Sequence, residues 1–517
     1  MKKIITLLFI CFLSISGFAQ TFEKIIKSPY QDFSSEVIVN HKDEILVVIK
    51  NFNLAPSSPR FLNSSFVLLN PDGTTKNQLQ LTGQDFGLTL DTIYSYLHTL
   101  SGKYRNEKYL FYASNKVDTP SVYSRLFFEL DSNLNITRYS HKDTLNRLFM
   151  GYSRMKENGS NVLLTGFDYN YSNGIFNGRV GLLNDSLDEI SKVMFNTSDT
   201  VFMEIIDDGL IDQQKQIYLF GEGKLSNSFS GSPMQLIKLD SSFNLIKKQY
   251  IRHPLLSGWE HYLSSGLSIS AFWISDTTFL LATTGAIEYN LKGDIHFFVY
   301  DTAFNQLKYK RIITPDTSEF NNEFKTTTYD SLCDCFYMGV TKRFENFNSP
   351  TFGTDDTTDF QLIKFDKDLN IIFNRFYRRN RTLTFAQLKT DSKGNVIMVG
   401  QTQDINSPNP SNTDIFILKV DSNGNLLSTA IKENEEIDPL NYSIFPNPVT
   451  DAFTFRQYNV IENYTMQLYD SNAKLQMQFE VKNSEDSFSI QDLSRGVYIY
   501  QLTNSKGKQR SGKLIKK

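Results

Sequence analysis

Five carboxylates, Glu204, Asp207, Asp208, Glu260 and Asp391, fall in stretches that could face a common axis if the chain closes into a ring. Paired carboxylates run glycoside hydrolysis, one giving a proton while the other attacks or activates water, and they need a defined separation. No spacing in this chain selects such a pair. There is also no G-x-S-x-G nucleophile elbow, no H-E-x-x-H zinc helix and no S-x-D-x-G-x-T-W box. A hydrolase acting on polysaccharide or peptide at the axis is therefore the alternative, behind a binding module.

Cys333 and Cys335 flank Asp334 in a C-x-C pattern, and Cys11 is the only other cysteine. On a strand the two would point to one face, and a ring closed over so few residues would be strained, so a reduced pair and a disulfide are both open. A metal site would need further ligands, yet His41, His98, His141, His253, His261 and His296 fall singly. No metal and no cofactor are expected.

Aromatic residues stand in polar stretches rich in Asn, Ser and Gly: Phe52, Tyr169, Tyr171, Phe176, Phe344 and Phe347. Such rings beside amide side chains suit a glycan or an extended peptide, and loops on a rigid scaffold are where binding residues concentrate. The stretches are read as loops: 51–64, 167–177, 222–233 and 341–359.

These groups must be positioned by strands. The chain has 517 residues, with 42 Phe and 26 Tyr, a composition that favours half-buried β structure. Its length exceeds one ordinary core. Lys and Arg number 53 against 56 Asp and Glu, interspersed, so no basic stripe offers a nucleic-acid footprint.

A repeat organises the middle of the chain. An apolar strand, an anchoring Asp or Asn, a short polar turn and a second strand recur seven times, with anchors at Asn70, Asp131, Asn184, Asp240, Asp301, Asp366 and Asp421. The turns are built of Asp, Asn, Ser and Gly, which bond local backbone and tolerate positive φ. The DSNGN run at 421–425 faintly resembles a calcium loop, but it lacks the remaining carboxylates and reads as a turn. Upstream of each hairpin lies another apolar strand, such as EILVVIK or NVIMVGQ, and usually one more short strand before it.

Seven four-strand units that cannot bury both faces alone are most economically closed into a ring, so the sequence predicts an all-β chain with a seven-bladed β-propeller over 20–433. An open β-solenoid is the weaker alternative, because the strands read as hairpins. Residues 21–27 are expected to add a strand to the last blade and fasten the ring.

The N-terminus reads Met1-Lys2-Lys3, an apolar run Ile4 to Phe12, then Gly17-Phe18-Ala19-Gln20, the order of a secretory signal peptide over 1–19. The run is too short to span a hydrocarbon core of ~30 Å. Cys11 sits inside it, away from the cleavage point, so a lipid anchor there is not expected.

After a polar linker at 434–441, residues 442–517 alternate as short strands of a small Ig-like β-sandwich. Phe445-Pro446-Asn447-Pro448, then Leu493-x-x-Gly496-x-Tyr498, then Lys513-Leu514-Ile515-Lys516 stand in the order that resembles the type A sorting domains of type IX secretion cargo from Bacteroidetes. The resemblance implies that Pro446, Asn447, Pro448, Gly496, Tyr498 and Lys513 serve folding or recognition, not catalysis. It also implies a type IX translocon and a sortase-like peptidase as partners, with the cargo secreted or held at the outer-membrane surface.

Overall fold

The computed structural model describes residues 21–27, 31–52, 61–81, 83–86, 96–118, 121–144, 148–170, 175–195, 203–224, 234–251, 264–265, 269–286, 293–312, 318–320, 326–343, 358–379, 382–403, 413–426, 442–445, 449–457, 463–470, 474–483, 485–504 and 509–517. The chain divides into two compact units, Met1–Leu427 and Ser428–Lys517. Among the described residues no helix is long and apolar enough to cross a membrane.

The hairpin turns explain the first unit. From the second to the seventh, the anchor side chain accepts hydrogen bonds from the backbone it bends; in the first, Asn70 Nδ2 donates to Thr74 Oγ1 at 2.9 Å and Asp72 accepts the Thr74 amide at 2.9 Å. Asp131 Oδ1 accepts from the Asn133 and Asn135 amides, both at 2.8 Å, and Asp131 Oδ2 accepts from Asn135 Nδ2 at 3.0 Å. Asp240, Asp301, Asp366 and Asp421 repeat this pattern, and Asn184 supplies its main-chain part.

Three residues after the anchor the backbone turns left-handed. Leu134, Leu187, Phe243, Phe304 and Leu369 adopt φ of 63° to 67° there. The conformation costs a non-glycine residue roughly 1–2 kcal/mol, which about 1.5–3 kcal/mol from burying the side chain offsets. Leu134, Leu187, Phe304 and Leu369 are accordingly buried between sheets.

The strands group into units built on four antiparallel strands, the third and fourth units being bridged into one sheet by a single parallel pairing of Phe176 with Met203. The first runs Gln31–Val39, Ile45–Phe52, Phe61–Leu69, Thr75–Leu81, and the second Tyr96–Arg105, Lys108–Asp118, Ser121–Leu130, Ile136–Thr144. The third runs Leu148–Asn158, Asn161–Asn170, Ile175–Leu183, Glu189–Phe195, and the fourth Met203–Ile211, Ile217–Lys224, Met234–Leu239, Leu245–Tyr250. In the fifth the first strand is split as Ser264–Ser265 and Ser270–Ser275, before Thr278–Ala286, Gly293–Asp301 and Gln306–Ile312. The sixth splits likewise into Ser318–Phe320 and Thr327–Asp330, before Cys335–Arg343, Thr358–Asp366 and Ile371–Tyr377.

The seventh unit holds Thr382–Thr390, Val396–Gln403 and Asp414–Val420, and its outer strand is Phe22–Ile26 from the other end of the chain. That strand is antiparallel to Asp414–Val420, with Phe22 opposite Lys419 and Ile26 opposite Ile415. The N-terminal segment is thus the fourth strand of this blade and not an addition to a complete one. The continuation of the last hairpin, beyond residue 426, lies outside the described residues.

Alternation along each second strand sends side chains to both neighbouring units. Ile45, Val47 and Ile49 pack with Val399 and Ile417 of the seventh unit, whereas Leu46 and Val48 pack with Phe111 and Phe128 of the second. Strands buried on both faces need such continuous apolar runs. A separate core fills each junction around the sequence of units and returns from the seventh to the first. The ring is therefore closed, and the fold is a β-propeller.

The second unit is a two-sheet sandwich. Tyr442–Phe445, Ala452–Gln457 and Glu485–Ser489 form one sheet, and Leu475–Val481, Tyr464–Tyr469, Gly496–Asn504 and Gln509–Lys516 form the other in that spatial order. Phe453, Phe455, Met466, Leu468, Leu502 and Leu514 share the core between them.

Candidate functional site

The innermost strands carry the groups nearest the ring axis, and six of them contain a register shift, at Ser34/Glu36, Thr99/Ser101, Tyr152/Arg154, Ile206/Asp208, Trp273/Ser275 and Phe385/Gln387. A bulge re-aims the side chain that follows it. At three of them that side chain accepts a backbone amide of the next blade. Glu36 Oε2 accepts the Gly102 amide at 2.8 Å, Gln387 Oε1 accepts the Val37 amide at 2.7 Å, and Asp208 Oδ2 accepts the Ala271 amide at 2.8 Å.

Asp208 is fully buried and joins three blades. Arg154 Nη1 and Lys156 Nζ, both from the third blade, lie 3.0 Å from its carboxylate. Arg154 Nη2 continues to the Ile269 carbonyl at 3.1 Å, and Lys156 Nζ to the Ala271 carbonyl at 2.7 Å, in the fifth blade. Burial lowers the Lys156 ammonium pKa, and the Asp208 carboxylate works against that shift.

Asp391 is also structural. It anchors a turn of the same design, accepting the Lys393 and Asn395 amides at 2.9 Å each, and it pairs with Lys419 at 2.8 Å, both side chains being buried. Burial opposes its ionisation, but Lys419 and Asn395 outweigh that and hold the carboxyl below the usual carboxylate range. Asp207 is buried next to Asp208. Glu204 lies on the strand Met203–Ile211, and Glu260 falls outside the described residues. The structure thus draws Asp208 into an inter-blade contact and Asp391 into a pair within the seventh blade, whose Lys419 reaches on to the Pro71 carbonyl of the first blade at 3.0 Å.

Cys333 and Cys335 are joined by a disulfide at the tip of the first hairpin of blade six, where Asp334 has φ 51°. Asp330 lies close enough to complete a three-group cluster with the two sulfurs. The sulfur–sulfur bond occupies both cysteines.

The aromatic candidates divide. Phe52 lies on Ile45–Phe52 opposite Phe61, and Tyr169 on Asn161–Asn170 opposite Phe176. Strand pairing therefore runs further into 51–64 and 167–177 than the loop reading expected, because the hairpins extend to Asn170 and Ile175. Tyr171, Phe344 and Phe347 fall outside the described residues.

In the C-terminal sandwich, Tyr498 is buried and its hydroxyl donates to the Ser494 carbonyl at 2.8 Å, which makes it a core residue. Gly496 pairs with Lys516 at the start of its strand, and Lys513 pairs with Ile499. Pro446, Asn447 and Pro448 fall outside the described residues. Immediately after them, the Val449 amide donates to the Ile515 carbonyl at 2.7 Å and the Lys517 amide to the Val449 carbonyl at 2.8 Å. The opening and closing segments of the unit are stitched together.

Fold and site together define a β-propeller protein with a separate C-terminal β-sandwich. Residues 443–517 match the family described as the secretion system C-terminal sorting domain, so the sandwich is a sorting module. No curated protein matches the chain. Among solved structures it is similar to the β-propeller domain of the Trilobed protease from Pyrococcus furiosus, at 9% identity and a TM-score of 0.41 over 80% of this chain and 99% of that one. It is also similar to Pyrococcus horikoshii acylaminoacyl peptidase, at 10% identity and a TM-score of 0.40, covering 84% of this chain and 60% of that one. A third is Penicillium chrysogenum alpha-L-arabinanase complexed with arabinobiose, at 10% identity and a TM-score of 0.39 over 78% and 100% of the two chains. Likenesses this distant say nothing of activity.

Proposed function

We propose that this protein is exported by type IX secretion and works outside the cell as a binding propeller. The observation that carries the export reading is the sorting domain at 443–517. Residues 1–19 would take the chain across the inner membrane, the sandwich would be read as a type A signal by the outer-membrane translocon, and a sortase-like peptidase would cut within 434–441. The cargo then stays on the cell surface or is released. Deleting 443–517 should leave the protein in the periplasm; undiminished surface display of the truncated chain would refute the reading.

Binding is favoured over hydrolysis because Glu36 and Asp208 are committed to holding blades together and Asp391 is paired with Lys419 inside the seventh. The ligand face would be the end of the ring reached by Phe52, Tyr169, Tyr171, Phe176, Phe344 and Phe347, and a glycan or an extended peptide its ligand. Glycan and peptide arrays probed with the leaderless protein should give a reproducible ligand class. Silent arrays combined with turnover of a polysaccharide or peptide would decide for a hydrolase.

A further inference from the structure

The sixth residue after each hairpin anchor sits near the start of a blade's outer strand, at the rim of the ring. In blades one to six it is Lys76, Thr137, Ile190, Ile246, Leu307 and Ile372. The fold makes no apolar demand at this position, since Lys and Thr serve in the first two blades. Yet from blade three to blade six it is always aliphatic, and those side chains are 50%, 51%, 52% and 55% exposed. Leu245, beside Ile246, is 58% exposed. Leu427 holds the corresponding place in the last repeat and lies outside the described residues. Scattered surface aliphatics need no explanation, but the same position repeated over consecutive blades is an arc.

On three of the four outer strands the charge is one-sided; the fourth, Glu189–Phe195, carries both Glu189, paired with Arg125 and Arg179, and Lys192. The outer strands Leu245–Tyr250, Gln306–Ile312 and Ile371–Tyr377 carry Lys247, Lys248, Lys308, Lys310, Arg311 and Arg375 and no Asp or Glu. Lys247 Nζ donates to the Ala303 carbonyl at 2.6 Å and Lys310 Nζ to the Leu369 carbonyl at 2.7 Å, contacts that fix the amines without neutralising them. Lys308 pairs with Asp368, and Arg311 with Asp294. The neighbouring anchors Asp240, Asp301 and Asp366 turn their carboxylates inward onto turn amides.

We propose that this arc, on the rim of blades three to six, is where the protein rests on an anionic lipid surface. Aliphatic side chains standing among lysines are the composition of an interfacial lipid contact, in which apolar insertion and attraction to negative headgroups add. Protein interfaces, by contrast, are enriched in aromatic residues and depleted in Lys. The large exposed hydrophobic side chains described on the outer strands of blades three to six are all Ile or Leu. The inference does not depend on the sorting domain.

The test uses residues 20–517 with vesicles of equal parts phosphatidylcholine and phosphatidylglycerol, against vesicles of phosphatidylcholine alone. Cosedimentation should occur with the anionic vesicles, fail with the neutral ones and weaken with salt. Replacing Ile246, Leu307 and Ile372 together by Ser should reduce binding about tenfold or more without lowering the melting temperature, since all three are exposed. Lys247→Gln with Lys310→Gln, which keeps both hydrogen-bond donors, should also weaken binding. Failure of the parent protein to bind, or equal binding by both variants, would overturn the proposal. So would a dimer that the triple substitution abolishes in protein that ignores vesicles, because the arc would then face a second copy.

Discussion

The Phe22 ring fills the space that a side chain on Gly73 would need: a Cβ built on Gly73 would stand 2.6 Å from the ring. Gly73 holds the left-handed turn position that Leu or Phe occupies in the five blades that follow, with φ 86°. The first blade leaves that place open, and the N-terminal strand takes it. Gly73→Leu, which copies the other blades, should displace Phe22 and destabilise the propeller by about 1–3 kcal/mol. Phe22→Ala should recover part of the loss in the double variant, a coupling that a denaturant double-mutant cycle would read. Strict additivity would show that the two residues do not compete.

The N-terminal strand holds more than one blade. Lys24 Nζ donates to the Gly73 carbonyl at 2.8 Å and to Thr75 Oγ1 at 3.0 Å, while Glu23 pairs with Arg379 of blade six at 2.6 Å. Removing residues 21–27 should expose the edge of Asp414–Val420 and raise amide exchange there first. Exchange unchanged at 414–420 would mean that the junction of blades seven and one closes the ring without the strand.

Asp208 should behave as a fold residue. Asp208→Ala leaves Arg154 and Lys156 without their shared carboxylate, and breaking a buried pair in this way costs about 3–5 kcal/mol. A melting curve would show the loss. A variant that melts like the parent would return Asp208 to the list of candidate catalytic groups.

The hairpin anchors give the propeller an acid limit. Asp131, Asp301 and Asp366 are held below the usual carboxylate range, burial opposing and the bonds from Asn135, Asn305 and Asn370 prevailing; at Asp240 the Asn244 bond leads. Because the unfolded chain takes up these protons first, their stabilisation is complete above the ordinary Asp pKa of about 4 and is lost as pH falls through the lower folded-state values. Melting temperature should fall as pH is lowered through that window. Asp301→Asn with Asp366→Asn should flatten the fall, since Asn184 already supports the same turn. An unchanged acid slope would place the sensitivity elsewhere.

Much of the fold was legible because its signal is local. An anchor, a polar turn and flanking apolar runs fall within some fifteen residues, so the hairpins could be read from the sequence; six are complete among the described residues, and the return strand of the seventh lies outside them. The C-terminal strands were legible for the same reason, with Tyr464, Met466 and Leu468 alternating before a turn. The loop reading of 167–177 missed because Asn and Gly there hid the pairing of Tyr169 with Phe176, which needs the partner strand to be seen.

The sequence by itself determined the class of structure and the sorting domain, since both rest on periodicity and motifs written within short windows. Tertiary structure decided how the ring shuts and what its inner carboxylates do. Phe22 meets Gly73 and Lys419 across 51 and 397 residues of chain, and no local pattern announces such a contact. Asp208 and Asp391 read as available acids until bulge geometry and burial set them against Arg154, Lys156 and Lys419. A carboxylate's role is fixed by the charges it faces, and those are brought to it only by folding.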